Sequence, residues 1–295
     1  MRLAATLAAA AGLALSAQTV HLAAKIRVGA FSGPCAAAAG GRWVWVSEFN
    51  APKLLKIDPR SNKVRGVATV GEGACGLAFG AGSMWVEDTY SDTVSRVSVR
   101  NGKRTAAIRV GATPYDTTFA FGSAWATANS GNQLDRIDPT KNRVVARIPV
   151  TAPVGVVAAF GSVWVARTDG VTRVDPQTNR KIATVPIPSA QWTAASGDAI
   201  WITAPGKLVR IDPATNKAAA IVPMPAAPLG DPDVVAGKVW VPVVRQNRLL
   251  VVDPSTNSAV QSVKTGKGPF VVTAHGRDAW VPSWHGSNIY RFRSS

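Results

Sequence analysis

Seven tryptophans beat time along the chain. Trp45, Trp85, Trp125, Trp164, Trp201, Trp240 and Trp280 follow one another at steps of 40, 40, 39, 37, 39 and 40 residues. Such regularity means one supersecondary unit used over and over, each copy burying its apolar face against the next. A glycine comes shortly before each Trp, as in Gly82-Ser83-Met84-Trp85, Gly122-Ser123-Ala124-Trp125 and Gly237-Lys238-Val239-Trp240. A second motif keeps the same period: Ile57-Asp58-Pro59, Ile137-Asp138-Pro139, Val174-Asp175-Pro176, Ile211-Asp212-Pro213 and Val252-Asp253-Pro254, with Asn a few residues on. A third is an alternating strand running into Gly or Pro, such as Ile108-Arg109-Val110-Gly111 and Val263-Lys264-Thr265-Gly266.

Each unit reads as four short strands, because Val, Ile and Thr alternate with polar residues at a period of two. In the fourth unit they are expected at 154–159, 162–166, 172–175 and 181–187. The Asp-Pro-x-x-Asn step is a turn: Pro presets φ, Asp accepts backbone N–H groups, and Asn tolerates the left-handed region. The step before each Trp makes the other tight turn. Four strands per unit, repeated seven times, predict an all-β fold, a seven-bladed β-propeller of four-stranded antiparallel blades. The last unit lacks its outer strand, since only Arg293-Ser294-Ser295 follow Phe292. Lys25-Ile26-Arg27-Val28-Gly29 carries the missing motif, so the N-terminal strand should complete the last blade and close the ring, removing two sheet edges. Each Trp is expected to pack between neighbouring blades. The single propeller domain is placed at 25–295, after a signal peptide and short linker at 1–24.

The export reading rests on Met1-Arg2 followed by the uncharged apolar run 3–15, with Ser16 or Ala17 as the last residue removed. That run is too short to span a bilayer, and no transmembrane segment is expected elsewhere. A periplasmic or extracellular protein follows. Apolar residues make up 46% of the 295, which excludes an unstructured chain, and the period excludes a coiled coil. Cys35 and Cys75 sit one repeat apart, at the start of adjacent inner strands. A disulfide, two buried thiols and a reactive site all remain open for them. The net charge of +16 is spread over third strands and turns, among them Lys56, Arg136, Arg180 and Arg210. Solubility is its simpler use, and binding to anionic polymer the alternative.

Blade topology sorts side chains by face. The loops from second to third strand, and from outer strand to the next inner strand, meet at one mouth of the central channel, where propellers bind. That mouth collects Glu48, Asn50, Glu87, Asp88, Tyr90, Tyr115, Asp116, Arg167, Asp169, Gln191, Trp192, Asp231, Asp233, Arg245, Asn247, Lys267, Phe270, Trp284, His285 and Asn288. Glu48, Asn50, Glu87, Asp88, Tyr115, Asp116, Arg167, Trp192, Arg245 and Trp284 are the chosen ligand-binding candidates. Acids dominate blades one to three and cations are commoner in blades four to seven, a polarity suited to a zwitterionic or amide-rich ligand. His285 is the one histidine placed there and the one catalytic candidate; His275 falls in a turn on the opposite face. Glu48, Glu87 and Asp88 could hold Mg²⁺ or Ca²⁺ through hard oxygen ligands, although no cofactor is otherwise expected and no metal-ligand spacing is present.

Arg136-Ile137-Asp138-Pro139-Thr140-Lys141-Asn142 and Arg210-Ile211-Asp212-Pro213-Ala214-Thr215-Asn216-Lys217 resemble the repeats of exported YVTN-type propellers. The chain is also similar to the virginiamycin B (streptogramin) lyase propellers, whose blades carry a Trp-Phe-Thr-Glu-like strand end, matched best by Trp45-Val46-Ser47-Glu48. The lyase resemblance implies Mg²⁺-assisted opening of a lactone ester by elimination, using His and Glu of the late blades. The family's Pro-His-Gly-like loop reads Ala74-Cys75-Gly76, Pro114-Tyr115-Asp116 and Pro269-Phe270-Val271 here, and no Glu follows Trp240 or Trp280. Two further readings stand beside the lyase. The first is a monomeric binding module whose mouth takes a small ligand, envelope polymer or protein partner. The second is a basic scaffold for anionic envelope polymer or nucleic acid, with nucleic acid the less expected partner.

Overall fold

The computed structural model describes residues 20–294; the apolar run 3–15 and its cleavage position lie outside the described residues. Seven four-stranded antiparallel sheets stand around one axis, as the tryptophan beat predicts. Blade four is built from Pro153–Ala159, Ser162–Arg167, Gly170–Asp175 and Arg180–Val185, within two residues of the strands expected at each end. Blade seven takes Thr273–His275, Asp278–Pro282 and Asn288–Ser294 from the C-terminus and Val20–Arg27 from the N-terminus. The closing strand runs antiparallel from Val20 opposite Ser294 to Arg27 opposite Asn288. It begins ahead of residue 25 and takes in His21, which faces Arg293 across the ladder. Among the described residues no helix is long and apolar enough to cross a membrane.

The repeat motifs explain how the blades turn and stick. Ala81-Gly82, Phe121-Gly122, Phe160-Gly161 and Ala236-Gly237 all hold positive φ at both positions, the backbone that a tight two-residue hairpin needs. In each Asp-Pro turn the Asp carboxylate accepts an N–H two residues on, as from Gln177 to Asp175 at 2.8 Å, and the Asn closes the turn in the left-handed region. Every blade tryptophan is buried against the following blade: Trp45 among Met84, Val86 and Val97, and Trp164 among Ile200, Ile202, Val209 and Ile211.

An arginine on the third strand caps five of these indoles and clamps the next blade. Arg173 lies 4.7 Å from the Trp164 ring centre, and its guanidinium donates to the Pro213 carbonyl at 2.7 Å and Asn216 Oδ1 at 2.9 Å. Arg96, Arg136, Arg210 and Arg291 do the same to the Pro and Asn of the Asp-Pro turns at Asp138, Asp175, Asp253 and Asp58. The pairing has a rule. Blade two turns at Val99-Arg100-Asn101-Gly102 instead, and blade one carries Lys56 facing it. Blade seven has no turn between its last two strands, because they are the two ends of the chain, and blade six presents Val251 beside Trp240. Much of the third-strand basic charge is therefore spent inside the fold.

Candidate functional site

A cavity of about 390 Å³ occupies the axis, lined by the inner strands of all seven blades. Its upper part, where the inner strands begin, is walled by Tyr115, Asp116, Trp192, Asp231, Asp233 and Phe270; its lower part by Ala39, Phe79, Phe119, Val157 and Ala195. No Lys or Arg lines it. The cavity is thus acidic and aromatic: Asp231 and Asp233 of blade six line it, while Arg167 and Arg245 lie outside it on the rim.

Inner-strand irregularities place the carboxylates. The register of blade three slips between Pro114 and Thr117, and the bulge delivers Asp116 sideways toward blade four. Its carboxylate accepts the Thr117 and Val156 N–H groups, both at 2.8 Å. Asp233 repeats the stitch, accepting Val234 N–H at 2.7 Å and Ala274 N–H at 2.8 Å. Asp231 is different. Its backbone pairs with blade seven, through Asp231 N–H to Phe270 O at 2.7 Å, but its buried Oδ1 has no hydrogen-bond partner. The Thr193 hydroxyl in the same wall is also buried and unpartnered.

Glu87 lies behind this wall, fully buried, and neither carboxylate oxygen has a partner. The nearby Thr117 hydroxyl is committed to the Trp125 carbonyl at 3.1 Å. Gly76 makes the room: a Cβ there would stand 3.0 Å from Glu87 Cγ and 2.9 Å from Asp116 Cα. Burial, then the neighbouring Asp116, Asp88 and Asp135, push the Glu87 carboxyl well above its ordinary value. Burial raises Asp116 to about 7. It also pushes Asp231 far up, with Asp116 and Asp233 adding repulsion, and raises Asp233. Burial is the leading cause in all four, and no Lys or Arg lines the cavity to offset it.

Above the channel runs a chain of aromatic rings. Trp192 meets Phe270 edge to face at 5.1 Å, Phe270 meets Trp284 at 4.7 Å, Trp284 meets Phe49 at 5.3 Å, and Phe49 meets Tyr90 at 5.3 Å. Phe49 was not singled out from the sequence, though its place directly after Glu48 on a second-to-third-strand loop was the available signal.

The other expected residues fall outside the cavity. Asp88 spends its carboxylate on Gly71 N–H at 2.8 Å, Thr93 at 2.8 Å and Ser95 at 2.6 Å, bracing its own blade. Glu48 is buried beneath the loop that follows the closing strand, its Oε1 unpartnered and 3.8 Å from where a Gly29 Cβ would stand. Asn50 donates to the Phe31 carbonyl of that loop at 3.0 Å. Arg167 donates to Thr172 at 2.9 Å and pairs with Asp169, and Arg245 is exposed on the turn Val244–Gln246. His285 stacks on Trp284 at 5.7 Å, exposed, with no acidic partner. Among the described residues no group of three or more His, Cys, Asp or Glu could hold a metal ion, so Glu48, Glu87 and Asp88 are not brought together as a Mg²⁺ or Ca²⁺ site. Cys35 and Cys75 form a disulfide, Cα to Cα 5.2 Å, tying blade one to blade two.

A family model described as a repeat of unknown function, DUF6923, matches residues 47–170. No curated protein matches the chain. Among solved structures, virginiamycin B lyase of Staphylococcus aureus is similar at 14% identity and a TM-score of 0.80, over 94% of this chain and 99% of that one. Hydrazine synthase of Kuenenia stuttgartiensis is similar at 16% identity and 0.79, over 92% and 97%. The WD40 propeller domain of Doa1 is similar at 11% and 0.78, over 92% and 96%. At such identities the likeness carries the propeller fold and leaves activity to the residues.

Proposed function

We propose that this chain is an exported binding module that holds a small ligand in the upper channel and performs no chemistry on it. The observation that carries the reading is convergence. Tyr115, Asp116, Trp192, Asp231 and Phe270, from four blades, face one cavity with unsatisfied polar atoms in its wall. The lyase-like alternative has weaker support: His285 stands on the rim without a carboxylate to orient it, and no metal-holding group of acids accompanies it. The basic-scaffold reading loses the arginines that clamp the blades. Export is supported by the basic-then-apolar N-terminal sequence and by the Cys35–Cys75 bridge, which suits an oxidising compartment.

Thermal denaturation against a small-molecule library tests the module. A ligand at a hundred times its Kd stabilises the fold by about 2.7 kcal/mol, a readable shift. Compounds that raise the wild-type midpoint should lose that effect in Trp192→Ala and keep it in His285→Ala. Shifts indifferent to Trp192 would move the ligand elsewhere, and turnover of a hit abolished by His285→Ala would restore the enzyme.

A further inference from the structure

Resting on that reading, we propose that the ligand is an organic cation: an amine or ammonium head held by Asp231 and Asp116 against Trp192 and Phe270, with its hydrocarbon part directed down the channel. Three independent features meet on this chemistry. The wall has carboxylates and no base, in a chain whose net charge is +16, so the mouth is a local inversion of the molecule's charge. Aromatic faces stand beside those carboxylates, and a ring face attracts an ammonium group, most strongly when water is excluded. The Asp231 Oδ1 and Thr193 hydroxyl are buried without partners, and an N–H donor from a ligand satisfies them.

A hard metal ion is a poorer occupant. It demands several oxygens converging on one point, whereas Asp116 and Asp233 already point theirs at backbone N–H groups of the next blade. An organic cation accepts a diffuse arrangement of charge and ring faces. Below the acids the lining turns to Ala39, Phe79, Phe119 and Val157, which has room for methylene groups and nothing to offer a second charge. The raised carboxyls support the same assignment. Burial raises Asp116, Asp231 and Asp233 in the wall and Glu87, Asp88 and Asp135 behind it, so a bound ammonium would favour their charged forms and release protons from this group.

Calorimetric titration of the full folded chain with hexyltrimethylammonium and n-hexylamine tests this, against n-hexanol, hexanoate and glucose. Both cations should bind at least about tenfold more tightly than hexanol, a difference of ~1.4 kcal/mol, n-hexylamine the tighter because only its ammonium donates N–H groups, with hexanoate and glucose silent. Binding of n-hexylamine at pH 6.5 should release protons, read from its heat in buffers of different ionisation enthalpy. Asp231→Asn should weaken both cations about tenfold while leaving hexanol unchanged. Phe270→Leu keeps the apolar volume without the ring face, so it should lower cation affinity alone and serves if Asp231→Asn does not fold. Hexanol, hexanoate or glucose binding as tightly as the cations, with loss in Trp192→Ala, overturns the cation and leaves a channel-binding module standing. No binding by either cation overturns the inference too, while the library screen judges the module separately.

Discussion

Glu87 occupies the position two residues after the blade tryptophan, where Ser47, Thr127 and Thr203 place hydroxyls. Ser47 donates to the Cys75 carbonyl of the next blade at 2.7 Å, and Thr127 to the Val154 carbonyl at 2.7 Å. Blade two gives up this staple for a buried carboxyl with no partner, and Gly76 gives up a side chain to admit it. Two such departures from the repeat at one spot are expected where function competes with stability. The cost is pH-dependent. A carboxyl whose pKa is raised on folding binds more protons in the folded than in the unfolded chain, so stability falls as pH rises from the ordinary carboxylate range through the raised value. For Asp116 that window runs up to about 7, and Glu87 and Asp231 extend it in the same direction. The melting temperature should therefore decline between pH 5 and pH 8. Glu87→Gln should flatten that decline and stabilise the protein at pH 8 by about 1–3 kcal/mol, measured by urea unfolding at both pH values. An unchanged slope would mean that Glu87 is not held protonated.

At the scale of the element, the arginine clamp joins neighbouring sheets at five of the seven blade interfaces. Arg173→Met keeps much of the stack on Trp164 but drops the bonds to Pro213 O and Asn216 Oδ1. It should cost about 2–3 kcal/mol, and Arg173→Lys should recover little, because an ammonium cannot reproduce the fork. Val251→Arg should gain nothing, since blade seven has no Asp-Pro turn to receive it. Unfolding midpoints of the three variants check this, and a stabilising Val251→Arg would break the rule. The elements were the legible part of the sequence, because Trp, Gly and Asp-Pro-x-x-Asn each fix a local backbone that does not depend on distant residues. The site was legible only in part. Of the residues collected at the mouth, Tyr115, Asp116 and Trp192 line the cavity, whereas Glu48 and Asp88 lie outside it. Bulges at the start of the inner strands decide which side chains turn inward, and the inner strands shorten to Thr193–Ala195, Asp233–Val235 and Thr273–His275 in the last three blades. Neither feature has a strong local signal, so a uniform repeat could not say that blade six supplies acids to blade three's side of the mouth.

For the whole molecule, a circular array of blades stands only if its two ends meet, and here they meet in blade seven while a disulfide braces the interface between blades one and two. The Cys35–Cys75 bridge closes a 40-residue loop across the first blade interface, which in the chain-entropy view is worth about 4 kcal/mol. The strand Val20–Arg27 closes the other side of that blade, placing Ile26 in one core with Val44, Val46, Ile57, Trp280 and Ile289. That core spans the seam between the first and last blades, so the closing strand holds two blades and not merely its own. Ile26→Ala should cost about 2–5 kcal/mol, whereas Leu22→Ala, on the 52% exposed side of the same strand, should change stability by less than about 0.5 kcal/mol. Removing residues 1–27 exposes the free edge of Asn288–Ser294 as well as that core. The shortened chain should lose its sharp unfolding transition and self-associate by edge pairing, read by light scattering, and a synthetic peptide of residues 20–27 should restore the monomer. A truncated chain that stays monomeric with its melting temperature intact would mean that the ring is held by its blade-to-blade clamps alone, and that the last sheet is stable with three strands.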